Sequence, residues 1–338
     1  MRYLRLGRSG LKVSPLCLGT MTFGATTDEA EAARIVAASR EAGVNFIDTA
    51  DAYSDGLSEE IVGRAVAADR DHWIIATKAA NPMGPGPNDR GLSRRRLTLA
   101  CEASLKRLGL GEIDILYLHK EDHETPLEET VRALADLLRA GKIRYFGVSN
   151  YRSWRLAEIC RLCDAAGIDR PVVSQPYYNA LNRMPEVEHL PACAHFGLGV
   201  FPYSPLARGV LTAKYAPDAA PAPDSRAGRA DRRMMQTEWR PESLRIARAF
   251  ADRAAATGRS ATQFALGWLF ANRLVTGVVA GPRTLAQWRD YLGALDAPFD
   301  AADEALVDSL VAPGHPSTPG YNDPGYPIEG RRPRSAPV

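Results

Sequence analysis

Residues 44–63 read VNFIDTADAYSDGLSEEIVG. Val44, Phe46 and Ile47 make a short apolar run suited to a buried strand, and the run ends on the acidic Asp48. Asp51, Ser54, Asp55 and Gly56 are turn formers. Leu57, Ile61 and Val62 then recur at helical spacing, so a helix is expected to open behind Ser58 with an imperfect capping box. The stretch is strand, loop, helix, with Asp48 at the C-terminal end of the strand and Tyr53 in the loop beyond it. In parallel sheets, open or closed, that end carries the chemistry.

The same unit recurs along the chain. Apolar strand-like runs stand at 16–20, 44–48, 73–78, 113–119, 143–149, 171–175, 198–204 and 276–281. Helix-periodic segments lie between them at 28–41, from 58, and at 93–108, 127–139, 154–165 and 186–196, with later ones at 241–257, 261–272 and 284–295. Alternating β and α segments imply a parallel sheet, and eight units in about 250 residues fit a closed (β/α)₈ barrel of the α/β class. An open doubly wound sheet is the alternative. Residues 1–14 read as a β-hairpin around Gly7 to Gly10. A long segment at 207–240, rich in alanine, proline and arginine, interrupts the rhythm after the seventh strand and is expected to loop over one face. One domain, 1–312, is expected. The proline- and glycine-rich tail, 313–338, with Tyr321 and Tyr326, either packs across the barrel or stays disordered.

Composition excludes several classes of function. Forty-two basic residues against 40 acidic leave a net charge of +2 over 338 residues, with no one-signed field for nucleic acid or a membrane surface. Arg94, Arg95 and Arg96 read as a solvated helix start. The absence of an N-terminal apolar segment of signal or transmembrane length leads to the expectation of a cytoplasmic protein. Cys17, Cys101, Cys160, Cys163 and Cys193 are too scattered for a disulfide framework. Cys160 and Cys163 fall inside an amphipathic helix and read as core residues, and no metal site is implied.

Asp48 and Tyr53 gain partners when the next strands are read to their ends. The third strand closes on Lys78 and the fourth on His119. A lysine behind Trp73, Ile74, Ile75 and Ala76 is partly desolvated and needs an anion, which Asp48 can supply. A nearby ammonium favours phenolate, so Lys78 is expected to lower the Tyr53 pKa and make it a usable general acid, while a neutral His119 can donate to the same oxygen. That set suits a carbonyl taking a proton on oxygen during reduction, with the hydride coming from a cofactor. No G-x-G-x-x-G follows a strand, so a Rossmann site is unsupported. The seventh strand instead runs into YSPLARG and the eighth into AGPRT, which put Arg208 and Arg283 beside glycine and a helix N-terminus, where barrels often bind phosphate.

The motifs CLGTMTFG, NFIDTADAYSDGLSEEIVG, IIATK, SLKRLGLGEIDILYLH, GKIRYFGVSN, SQPYYN, PYSPLARGVLTAKY and VVAGPRTLAQ stand in an order that resembles the aldo-keto reductase superfamily over residues 1 to about 312. The resemblance is to its microbial members and to the β subunits of voltage-gated potassium channels. It implies a (β/α)₈ barrel that binds NADPH, less often NADH, without a Rossmann domain and interconverts carbonyls and alcohols. Position by position it implies Tyr53 as general acid, Lys78 and Asp48 as the pair that sets its pKa, and His119 as the donor that orients the carbonyl. It places Gly19, Thr20 and Met21 near the nicotinamide, Ser149, Asn150 and Gln175 on its carboxamide, and Tyr203 against its ring. Ser204, Leu206, Arg208, Gly209 and Lys214, with Arg226 from the long segment, would hold the pyrophosphate. Gly281, Arg283, Gln287 and Asp290 would grip the adenosine end. Two positions depart from the family pattern: Asp290 stands where glutamate is usual and Tyr291 where asparagine is. Arg283 still offers a planar donor for a 2′-phosphate, which favours NADPH.

The substrate pocket is expected to draw on Met21, Phe23, residues near Trp154, the loop 120–124, the long segment and the tail tyrosines. The polar string Lys120, Glu121, Asp122, His123 either faces a hydroxylated substrate such as a keto-sugar or is an ordinary solvated loop. The motifs name no oligomeric state. Two other functions fit parts of the pattern: a slow-turnover regulatory subunit that senses the nucleotide, and a Schiff-base lyase using Lys78.

Overall fold

The computed structural model describes residues 1–217 and 219–328. Eight strands run parallel in chain order: β3 (Leu16–Gly19), β4 (Phe46–Asp48), β5 (Ile74–Ala79), β6 (Ile113–Leu118), β7 (Ile143–Ser149), β8 (Val173–Gln175), β9 (Gly199–Val200) and β10 (Val278–Ala280). β10 returns to pair with β3. The remaining seam is crossed by hydrogen bonds from Thr276 N–H to Val200 O (2.9 Å) and from Val279 N–H to Pro202 O (3.0 Å). The fold is a (β/α)₈ barrel.

Side chains alternate across a strand, so every second residue faces the lumen. Cys17, Phe46, Ala76, Ile115, Tyr117, Val173, Phe201 and Val279 fill the interior as one buried cluster. Leu16, Leu18, Ile47, Ile75, Leu116 and Leu118 face outward into the larger core under the helices. The lumen is tight. A Cβ on Gly147 would come within 2.7 Å of the Tyr117 ring, so glycine on β7 makes room for that tyrosine. The hairpin of β1 (Leu4–Arg5) and β2 (Lys12–Val13) contributes Leu6 and Val13 to the interior cluster.

Around the barrel lie α1 (Glu29–Glu41), α2 (Leu57–Val66), α3 (Arg94–Leu108), α4 (Leu127–Arg139), α5 (Ser153–Ala166), α6 (His189–Phe196), α7 (Arg232–Thr237), α8 (Pro241–Ala256), α9 (Ala261–Ala271), α10 (Leu285–Gly293) and α11 (Ala301–Leu310). Asp28, Ser93, Ser260 and Thr284 cap α1, α3, α9 and α10 through their side-chain oxygens.

Several expectations need correction. α2 opens on Leu57 after left-handed Gly56, and Ser58 is not its cap: it is buried and donates to Thr20 O at 2.9 Å. Asp51 lies in a turn, as expected, and is buried there against Arg96 at 2.8 Å. The strand expected at 198–204 is only two residues long; beyond it Pro202 has no N–H to give and Ser204 takes a positive φ. The segment 207–240 contains a 3₁₀ turn, Ala207–Thr212, and the helix α7. α11 was not anticipated; Asp300 and Asp303 close it with a reciprocal capping box.

Chain beyond the barrel crosses its C-terminal face. Ser317 N–H donates to Leu181 O (2.8 Å), the Arg240 guanidinium lies 4.0 Å from the Tyr321 ring centre, and Arg152 donates to the Tyr326 and Pro327 carbonyls at 3.0 and 2.9 Å. The remainder of the tail, 329–338, lies outside the described residues.

Candidate active site

The period of two that builds the lumen also builds the site. Asp48, Lys78, His119, Ser149 and Gln175 each come two residues after a lumen-facing position, at or just past the C-terminal end of β4, β5, β6, β7 and β8. Adjacent parallel strands hold those ends together: Asp48 pairs in register with Ala76, and Lys78 with Tyr117.

Lys78 is fully buried, and its ammonium donates to Asp48 Oδ1, to Thr49 O at 2.7 Å and to the Tyr53 hydroxyl at 3.2 Å. Gln175 Nε2 donates to the other Asp48 oxygen at 2.8 Å, so the carboxylate is held on both sides. Burial works against a charged Lys78, yet Asp48 and Tyr53 outweigh it and hold the amine above its ordinary pKa, as an ammonium. Tyr53 departs from expectation. Burial raises its pKa more than Lys78 lowers it, so the phenol sits above its ordinary value, protonated at neutral pH. His119 is driven well below the usual imidazole range, first by burial and then by Lys78 and Lys120, and is neutral. Its ring meets Tyr53 edge-on, centroids 6.0 Å apart.

A single cavity of about 860 Å³ opens over these groups. Asp48, Tyr53 and His119 line it, while Lys78 lies behind them. Every residue assigned above to the cofactor also lines it: Gly19, Thr20, Met21, Ser149, Asn150, Gln175, Tyr203, Ser204, Leu206, Arg208, Gly209, Lys214, Gly281, Arg283, Gln287 and Asp290. Arg226, Tyr291, Arg233 and Tyr326 also line it. Tyr203 O–H donates to Asn150 Oδ1 at 2.8 Å, and Asn150 Nδ2 donates to His119 O at 3.0 Å, which ties the β9 end to the β6 end. Ser149 donates to Gln175 O at 2.8 Å, and Arg283 N–H donates to Gln287 Oε1 at 2.8 Å at the start of α10.

Some pocket candidates fall elsewhere. Phe23 is fully buried in the outer core, Trp154 is 61% exposed outside the cavity, and the loop 120–124 and Tyr321 do not reach it. Sequence reasoning missed three residues. Glu238, wholly buried, stands 3.1 Å from the Arg208 guanidinium and accepts from Tyr177 O–H at 3.0 Å, while Tyr177 stacks on Tyr203 at 5.7 Å. Asn81, in the loop after β5, stands 3.1 Å from the His119 ring. Nothing periodic marks Asn81 or Glu238, and Tyr177, though inside the motif SQPYYN, was given no role.

The sequence model of the Aldo/keto reductase family matches residues 15–312. The chain belongs to that family. It is 37% identical over 301 residues to the probable voltage-gated potassium channel subunit beta of Arabidopsis thaliana, covering 88% of this chain and 92% of the relative. It is 35% identical over 329 residues to the L-glyceraldehyde 3-phosphate reductase of Escherichia coli K12, 93% of each. The aflatoxin B1 aldehyde reductase member 2 of Mus musculus is 43% identical over 211 residues, 61% of this chain and 56% of the relative. With family members so named, this aldo/keto reductase is an oxidoreductase with carbonyl-reducing kin. Among the described residues no helix is long and apolar enough to cross a membrane.

Proposed function

We propose that the protein is an NADPH-dependent reductase of a small aldehyde, ketone or keto-sugar, working reversibly between carbonyl and alcohol. The observation that carries this reading is the contact of Tyr53 O–H with the Lys78 ammonium, itself held by Asp48, at the floor of a cavity shared with His119. The cavity suits a dinucleotide: about 860 Å³, with Lys214, Arg226 and Arg283 among its lining residues. Burial without a full counter-charge depresses the Arg226 pKa, which is the condition of a cation built to meet an anion. Arg283 precedes α10, whose N-terminus adds a positive dipole end for a phosphate and favours NADPH over NADH. Arg208 is already countered by Glu238 and is the weaker phosphate ligand of the set. When bound, NADPH supplies the hydride.

The chain's own groups do the remaining work. His119, neutral, donates to the substrate oxygen and aims it at Tyr53. The protonated Tyr53 gives its proton to that oxygen as negative charge develops there. Lys78 then stabilises the phenolate left behind, and Asp48 keeps Lys78 charged without leaving it unpaired in a buried place. Met21 and Tyr326, both in the wall of the cavity, would help to set what enters. For the alcohol, the proton moves in reverse.

The test is loss of NADPH absorbance with a panel of aldehydes, ketones and keto-sugars, with NADH run in parallel. Consumption of NADPH faster than NADH with one or more carbonyls supports the reading. Similarity to the potassium channel subunit β favours a second reading, a nucleotide-binding regulatory subunit with slow turnover. Tight NADPH binding with no carbonyl turned over would favour it.

A further inference from the structure

Asn81 lies two residues past the end of β5, and the hydrogen bond from Gly91 N–H to Ala80 O at 2.8 Å fixes the loop there. Its amide nitrogen stands 3.1 Å from His119 Nδ1, and both residues line the cavity with Tyr53. The backbone of His119 is pinned on both sides: its N–H donates to Ala79 O at 3.0 Å and its carbonyl accepts from Asn150 at 3.0 Å. Backbone pinning fixes where the ring is. It does not fix which ring nitrogen carries the proton.

We infer that Asn81 is a positioning residue that selects the tautomer of His119, donating its amide N–H to Nδ1 so that the ring proton sits on Nε2. The inference deepens the reductase reading above and rests on it for its kinetic consequence, though not for its structural one. An amide NH₂ has hydrogens and no lone pair to accept with, so an imidazole nitrogen facing it must be the unprotonated one. The charged and titratable groups around the ring are Lys78 from β5, Lys120 beside it and Tyr53 opposite, with Asp48 behind Lys78. The two ammonium groups oppose a third positive charge, so the ring keeps a single N–H. With Nδ1 occupied by Asn81, that N–H is Nε2–H, the donor that a carbonyl oxygen shared with Tyr53 requires. The opposite tautomer would present a lone pair to the carbonyl oxygen and repel it.

The decisive test needs no turnover. Ring ¹⁵N spectra of the full-length protein, with the His119 signals assigned by their loss in His119→Gln, should show protonated Nε2 and unprotonated Nδ1 throughout neutral pH. A His119 ring carrying its proton on Nδ1, with Asn81 presenting oxygen, would overturn the inference whether or not the protein proves to be a reductase. The kinetic arm uses Asn81→Asp, which keeps the shape and replaces the donor with an acceptor. The new carboxylate accepts from Nδ1–H and raises the imidazolium pKa. kcat for carbonyl reduction should therefore fall about 10²-fold, the scale of one lost oxyanion-type donor, with KM changing far less. Part of that rate should return as pH falls towards 6, where protonating the imidazole puts a hydrogen back on Nε2, while Asn81→Leu loses rate without that recovery. Asn81→Asp retaining the wild-type kcat and pH profile, with an unchanged melting temperature, would equally overturn the inference.

Discussion

Lys78 and Asp48 show what a single buried charge demands. Lys78 has no exposed surface and Asp48 almost none, so each neutralises a group that the barrel could not otherwise hold. Replacing Lys78 with methionine leaves the Asp48 carboxylate buried against Gln175 alone. We expect a loss of stability of about 3–5 kcal/mol, read as a lower urea midpoint at unchanged m-value. The pair was legible in the sequence because both residues close apolar runs on neighbouring strands. The acid strength of Tyr53 was not: the sequence shows the Lys78 that lowers it but not the depth of burial that outweighs Lys78. Asn81, Tyr177 and Glu238 were hidden because loops bring them to the site, and no period marks their place.

Among the elements, α11 is the one whose tie to the barrel is most open to test. Asp303 closes its capping box and is buried under the Arg253 and Arg259 guanidiniums at 2.7 and 2.8 Å. Burial alone would raise its pKa, but hydrogen bonds from Arg259 and Arg253 bring it down from 3.8 to about 2. A carboxylate depressed in the folded state adds stability that is fully present above its unfolded pKa and fades as pH falls through the folded one. Asp303→Asn should therefore lower the unfolding midpoint by a constant amount from pH 5 to 8. That gap should narrow only below the unfolded value of 3.8. α11 escaped the sequence reading because its box is built from two aspartates, not serine and glutamate. β9 was overread because apolar residues run on past Val200 into chain that pairs with its neighbour only at single points, as Tyr203 N–H does with Pro176 O. The strands β4, β5 and β6, which carry or lead into Asp48, Lys78 and His119, were legible because their apolar runs are buried along nearly their whole length.

At the scale of the whole molecule, two segments that follow the barrel's rhythm least close over its mouth together. Arg233 of α7 binds Asp323 of the tail through two hydrogen bonds of 2.8 and 2.6 Å, and Arg233 and Tyr326 both face the cavity. A partly exposed pair of this kind is worth on the order of 1 kcal/mol. Asp323→Asn should thus raise KM for the carbonyl about fivefold, with little change in kcat and a melting temperature within a few degrees of wild type. The measurement that bears most directly on the account is NADPH oxidation by wild type and Tyr53→Phe with the best carbonyl of the panel, alongside NADPH binding to each. Wild type should turn over and bind, and Tyr53→Phe should bind NADPH equally well while losing about 10²- to 10⁴-fold in kcat, the scale of general acid catalysis. Turnover by Tyr53→Phe within a few-fold of wild type would contradict the account.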